Sequence, residues 1–183
     1  MQRLVWHQRR LDHTLRTFYD GAAIDLYESL RKRAADQTGT VKCRVVYDRH
    51  IEEVQFSPYF SRPVKTLKLV EDNAIEYPFK FVDRVALNRA FDQKGSADDV
   101  LIVKNGRITD TSIANIAFRQ GEKWVTPREP LLKGTMREFL LASGTLSEMD
   151  ITVSDVSSFD GCKLFNALLQ FASDEFPVSN IHF

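Results

Sequence analysis

The chain has 183 residues, 43% of them apolar, and its 25 Lys+Arg balance 25 Asp+Glu to a formal net charge of zero. Without a basic excess, nonspecific binding to nucleic acid or to an anionic membrane surface is disfavoured, and so much apolar material argues against a disordered chain. At this length about 70% of the unfolded surface can be buried, and 8 Gly and 6 Pro are too few for a fibrous or low-complexity protein.

The opening MQRLVWHQRRLDH has no apolar run of signal-peptide length, and nothing later approaches the ~18 apolar residues of a membrane span. A soluble, cytoplasmic protein is expected. Leu11, Leu15 and Phe18 recur at helical spacing over 7–19, as do Leu26 and Leu30 over 22–34, so two amphipathic helices open the chain. KCRVVYD, EEVQFSPY and KTLKLV then read as three consecutive strands between Val41 and Val70. A boundary is expected near Asn73 to Pro78, separating a small N-terminal α+β domain over 1–75 from a second domain over 76–183. A helix follows over 82–91, then a meander with turns at Asn105-Gly106 and Gln120-Gly121, a helix over 134–142 and an apolar strand over 162–171. Strands and helices without regular βαβ alternation make the fold class α+β.

Cys43 and Cys162 both lie on apolar segments outside any C-x-x-C spacing, which predicts buried free thiols in a reducing compartment. The chain lacks G-x-S-x-G, G-x-x-x-x-G-K-[ST], H-E-x-x-H and G-x-G-x-x-G, which removes serine-hydrolase, P-loop, zincin and dinucleotide-binding readings. His7, His13, His50 and His182 are scattered without ligand spacing, and no metal site is expected.

VKNGRITDTSIANIAFRQGEKWVTPREPLLKGTMREFLLASG, from Val103 to Gly144, resembles the C-terminal domain of the class IV aminotransferases. These are the fold-type IV pyridoxal-phosphate enzymes, among them branched-chain aminotransferase, D-amino-acid aminotransferase and 4-amino-4-deoxychorismate lyase. The family pattern is a strand and turn d-G-x-[IV]-[TS]-E, then x-x-x-N-[IL]-F, a T-P, and G-[IT]-x-R. The resemblance implies a two-domain fold like that of D-amino-acid aminotransferase, pyridoxal 5'-phosphate as cofactor, a small amino-acid-like substrate and a homodimer.

YPFKFVDRVALNR resembles the family segment K-x-x-N-R or K-x-x-x-R whose lysine forms the Schiff base, which points to Lys80. Its neighbours Pro78, Phe79 and Phe81 are expected to desolvate the ammonium and so favour the free amine. Asp110 stands where the family carries Glu, one methylene shorter, and is the carboxylate expected to keep the pyridine nitrogen protonated; the alternative is a turn contact with Thr109 and Thr111. Gly134, Thr135 and Met136 open a helix whose first turn is implied to hold the cofactor phosphate. WHQRRL resembles the H-x-x-R-L helix, whose phosphate-contacting arginine maps onto Arg10, with the adjacent Arg9 left open; Arg44 falls near a substrate-facing position. KLFNALLQF resembles a late strand of the deoxychorismate lyases, putting Asn166 and Ala167 beside the phosphate or the substrate carboxylate.

The family opens with strands and an [LF]-E-[TS]-I segment ahead of its H-x-x-R-L helix, whereas this chain starts six residues before His7, so a truncated N-terminal domain is expected. The implied activity is amino transfer on an amino acid or a similar molecule through Lys80. Elimination of pyruvate from 4-amino-4-deoxychorismate is the alternative towards which the FNAL string leans. A catalytically silent, cofactor-binding or interaction protein is the reading from another class.

Overall fold

The structure is a computed structural model describing residues 1–183, and the chain divides into two units, Met1–Ser61 and Arg62–Phe183. In the first unit, leucines four apart bury one stripe of helices α1 (Leu4–Phe18) and α2 (Leu26–Ala35). Leu11, Leu15, Leu26 and Leu30 are its fully buried members. Asp25 caps α2 by accepting the Glu28 amide. Gln8 ties the two helices together, donating to the Ile24 carbonyl at 2.7 Å and accepting from the Leu26 amide at 2.9 Å. Strands β1 (Val41–Tyr47) and β2 (Ile51–Pro58) form an antiparallel two-stranded ribbon, and Val45, Tyr47 and Val54 lie against the leucine cluster.

The second unit is built on β3 (Leu67–Glu71), β4 (Asp99–Lys104), β5 (Arg107–Thr111), β6 (Asn115–Gln120), β7 (Lys123–Pro127), β8 (Ser147–Met149), β9 (Gly161–Phe165) and β10 (Ile181–His182). The order is β10-β3-β4-β5-β6-β7-β8, with β9 pairing on β6. Helix α3 (Val85–Phe91) lies in the crossover between the parallel strands β3 and β4. Asn105 and Gly106, with φ of 51° and 72°, make the tight β4–β5 turn that the Asn-Gly pair predicts. The largest core cluster centres on β4, β5, β6 and β9, where Phe118 stacks on Phe159 with ring centroids 4.9 Å apart. Helix α4 (Thr135–Ala142) follows β7 and buries Met136 and Leu140 against Ala117 and Phe165.

Three local expectations differ from the structure. Leu67–Glu71, the third of the consecutive strands, pairs parallel with β4 in the second unit, and the chain divides between Ser61 and Arg62, ahead of the expected 75/76 boundary. The apolar run 162–171 is a strand only to Phe165, because the Asn166 side chain accepts the Leu168 and Leu169 amides and turns the chain. Cys162 is buried as expected, but Cys43 is exposed, since a two-stranded ribbon is too narrow to cover it.

Candidate active site

Strand β5 carries Asp110 into the interior, and β6 begins opposite it with Asn115, the one residue pair through which these strands register. Asp110 is 5% exposed. Asn115 donates through Nδ2 to Asp110 Oδ1 at 2.7 Å and to the Leu132 carbonyl at 2.9 Å, while the Leu132 amide donates to Asp110 Oδ2 at 2.9 Å. Burial nevertheless dominates and pushes the carboxyl up to about 6, against those two donors and the charge of Arg137. Asp110 therefore does not close a turn with its neighbours; that role belongs to Thr111, whose hydroxyl and amide engage Ala114.

The same asparagine meets the start of α4. Gly134 is the N-cap and comes so close that a Cβ there would lie 2.2 Å from Asn115 Oδ1. Its φ of −64° is ordinary, so the requirement is space and not backbone freedom. Thr135 and Met136 are each 4% exposed, and the helix start takes no side-chain cap. Its first-turn amides carry the positive end of the helix dipole. Arg137, 1% exposed, anchors this turn from behind through the Pro127 carbonyl and Glu148, both at 2.8 Å.

Lys80 sits between β3 and α3 with a left-handed φ of 55°. The expected apolar wrapping is absent: Lys80 and Pro78 are exposed, and Phe81 is 44% exposed. The reason is local, since the rings of Phe79 and Phe81 pack on each other with centroids 5.7 Å apart. The turn is held instead through its backbone, where the Tyr77 hydroxyl donates to the Phe81 carbonyl at 2.7 Å. Arg84 donates to the Tyr77 oxygen at 3.3 Å and to the Ser112 carbonyl at 2.8 Å, two residues beyond Asp110.

Asn166 donates to the Ile113 carbonyl at 3.2 Å, which attaches the turn carrying Ala167 to the same β5–β6 loop. The second unit thus links Lys80's turn, Asp110, Gly134, Thr135, Met136, Asn166 and Ala167 through a few hydrogen-bonded loops. Arg10 and Arg44 belong to the first unit. Arg10 lies on α1, its carbonyl accepting from Thr14. Arg44 is already paired with Glu53 across the ribbon at 2.6 Å, both half-exposed. Tyr77, Arg84, Ser112, Asn115 and Arg137 were not singled out from sequence. Arg84, Asn115 and Arg137 occupy fixed letters of the quoted motifs, Arg84 as the arginine of K-x-x-x-R, and those letters are the available signal; Tyr77 and Ser112 act through loop contacts that no spacing encodes.

Two outcomes test this geometry. Gly134→Ala is expected to cost about 2 kcal/mol in urea unfolding, because Asn115 cannot yield without breaking its bonds to Asp110 and Leu132. The raised Asp110 carboxyl takes up a proton more readily in the folded than in the unfolded chain. Its contribution to stability is therefore full below pH 4 and is lost as pH rises towards 6, by about 3 kcal/mol. In ligand-free protein, Asp110→Asn is expected to remove this loss, so the stability difference between parent and variant changes across that window; a constant difference would contradict it.

A class IV amino-transferase family model matches residues 3–173. An uncharacterised protein of Haemophilus influenzae (strain ATCC 51907 / DSM 11121 / KW20 / Rd) is 37% identical over 171 residues, 92% of this chain and 91% of that protein. The crystal structure of a protein of Haemophilus somnus 129PT, provisionally assigned as a 4-amino-4-deoxychorismate lyase, superposes with a TM-score of 0.86 at 34% identity, covering 91% of this chain and 89% of that one. A Schizosaccharomyces pombe protein provisionally assigned as an aminodeoxychorismate lyase is 41% identical over 68 residues, 36% of this chain and 29% of that protein. With nearly the whole chain matched, and with the family's strand, turn and helix motifs converging around Asp110, the chain belongs to the class IV amino-transferase family.

Proposed function

We propose that the chain is a pyridoxal-5'-phosphate-dependent enzyme acting on an amino-acid-like substrate, with Lys80 as the reacting amine. The observation that carries this is the knot of Asp110, Asn115, Leu132 and Gly134, a buried carboxylate tied directly to a buried helix start that lacks a cap. That donor set fits a planar ring with a cationic nitrogen at one end and a phosphate at the other. When bound, the cofactor supplies a carbonyl that condenses with amines and a ring that accepts electrons from the substrate carbon.

The chain's own residues do the rest. Lys80 offers the amine that holds the cofactor, and once displaced by the substrate amine it moves a proton at the substrate Cα. Asp110, already bonded to two N–H donors, keeps lone pairs for a third and holds a proton at the ring nitrogen. A cation there would bring its carboxyl back down from about 6. The start of α4, with Gly134, Thr135 and Met136, orients the phosphate, and the turn at Asn166 and Ala167 borders it. Arg10 is assigned to the phosphate and Arg44 to the substrate on the family resemblance; Glu53 would have to release Arg44 for that task.

Amino transfer and pyruvate elimination share these early steps. Both relatives described above by an activity are assigned as lyases, which favours pyruvate release from 4-amino-4-deoxychorismate. A coupled assay for pyruvate from that substrate, set against oxo-acid formation from amino acids, separates the two. Lys80→Ala is expected to lose the borohydride-reducible lysyl adduct and more than about a hundredfold in turnover. An adduct retained at another lysine would overturn the assignment.

A homodimer is part of the same proposal, to be checked by sedimentation, where a monomer at micromolar concentration would speak against it. No helix of the chain is long and apolar enough to cross a membrane, and two unpaired thiols suit a reducing, cytoplasmic setting.

A further inference from the structure

We propose that Arg84 is a positioning residue: by joining Tyr77 to the Ser112 carbonyl, it clamps the left-handed turn bearing Lys80 onto the loop that leaves Asp110 and so sets where the lysine amine stands relative to that carboxylate. The inference rests on the reading of Lys80 given above.

Lys80 is exposed, and its reach starts from the backbone that carries it. That backbone adopts φ 55°, a region an L-residue occupies at a cost and keeps only where its surroundings hold it. The holding bonds run in series. The Tyr77 hydroxyl, with one proton to give, donates it to the Phe81 carbonyl just past Lys80. Its oxygen is left to accept from Arg84 Nη1 at 3.3 Å, and the guanidinium also lies 5.5 Å from the centre of the Tyr77 ring. Arg84 Nη2 reaches the Ser112 carbonyl at 2.8 Å.

Both anchors are firm, Tyr77 and Ser112 each being 6% exposed. Only a planar, forked donor spans two acceptors in this way, so lysine at 84 would keep the charge and lose the span. The residues assigned to ring and phosphate, Asp110 and the start of α4, make none of these bonds. Arg84 should therefore control linkage to Lys80 and leave ligand capture almost untouched.

The test uses two probes on the full chain. Pyridoxal 5'-phosphate followed by borohydride trapping and peptide mapping reports linkage at Lys80, while pyridoxine 5'-phosphate, which has no aldehyde, reports capture by ring and phosphate contacts alone. Arg84→Met is expected to lower trapped linkage at Lys80 about tenfold and to change the pyridoxine 5'-phosphate Kd less than about twofold, with Arg84→Lys between Met and parent. Tyr77→Phe keeps the ring and removes the bridge, so a loss of about threefold in the same direction is expected; it decides the matter if Arg84→Met does not fold. Unchanged linkage, or linkage and capture falling in parallel, overturns the proposal and leaves the Lys80 reading intact. A parent protein that traps no adduct at Lys80 overturns the functional reading, and the Arg84 proposal with it.

Discussion

A carboxylate held inside the second unit sets the terms for everything around it. Asp110 is removed from water at a cost that two neutral N–H donors and the nearby Arg137 charge do not offset, which is why its carboxyl rises to about 6. An interior acid whose carboxyl burial has raised to about 6 lacks one thing, a cation in direct contact with it. The same Asn115 that supplies one of its donors also forbids a side chain at Gly134, so the acid and the helix start share a wall. Two features that favour opposite charges are thereby kept at a fixed spacing: the acid draws a cation, and the uncapped helix start draws an anion. A small ligand carrying both charges at its two ends satisfies them together, and either charge alone leaves one of them unmet.

Arg137 shows how the acid is kept from becoming too costly. It is almost wholly buried, yet it makes bonds to backbone carbonyls and to Glu148, so its charge is compensated where it lies. Acting over a distance, it lowers the Asp110 carboxyl without a salt bridge to it. A direct bidentate pair would have held Asp110 fully ionised and already neutralised, with less reason to attract a further cation.

What could be read from sequence follows the range of the interactions involved. Periodicity located α1, α2, α4 and the β4 to β7 meander, because those elements announce themselves within ten or fifteen residues. The partner of β3 was not legible: KTLKLV reads as a strand in any sheet, and its choice of β4 is made by α3 packing across the intervening segment. The end of β9 depended on one Asn side chain capturing two amides, which an apolar run hides. In the site, motif letters led to Lys80, Asp110 and the Gly134 turn, while the environment of Lys80 was misjudged. Apolar neighbours in sequence do not desolvate a residue when they pack on each other, as Phe79 and Phe81 do.

On the function proposed above, the exposed lysine and the buried acid would divide the work according to what each must do. An acid that only has to hold a proton in place gains from burial and from two fixed donors, since any motion would loosen its grip on the ring nitrogen. An amine that would give way to the substrate and then return to a neighbouring carbon gains from an exposed side chain, since each change of partner then breaks fewer contacts. On that reading its precision would come from the main chain, through a strained turn fastened at both ends. The left-handed backbone at Lys80 and the exposure of its side chain are then two sides of one arrangement, a held Cα beneath an exposed side chain.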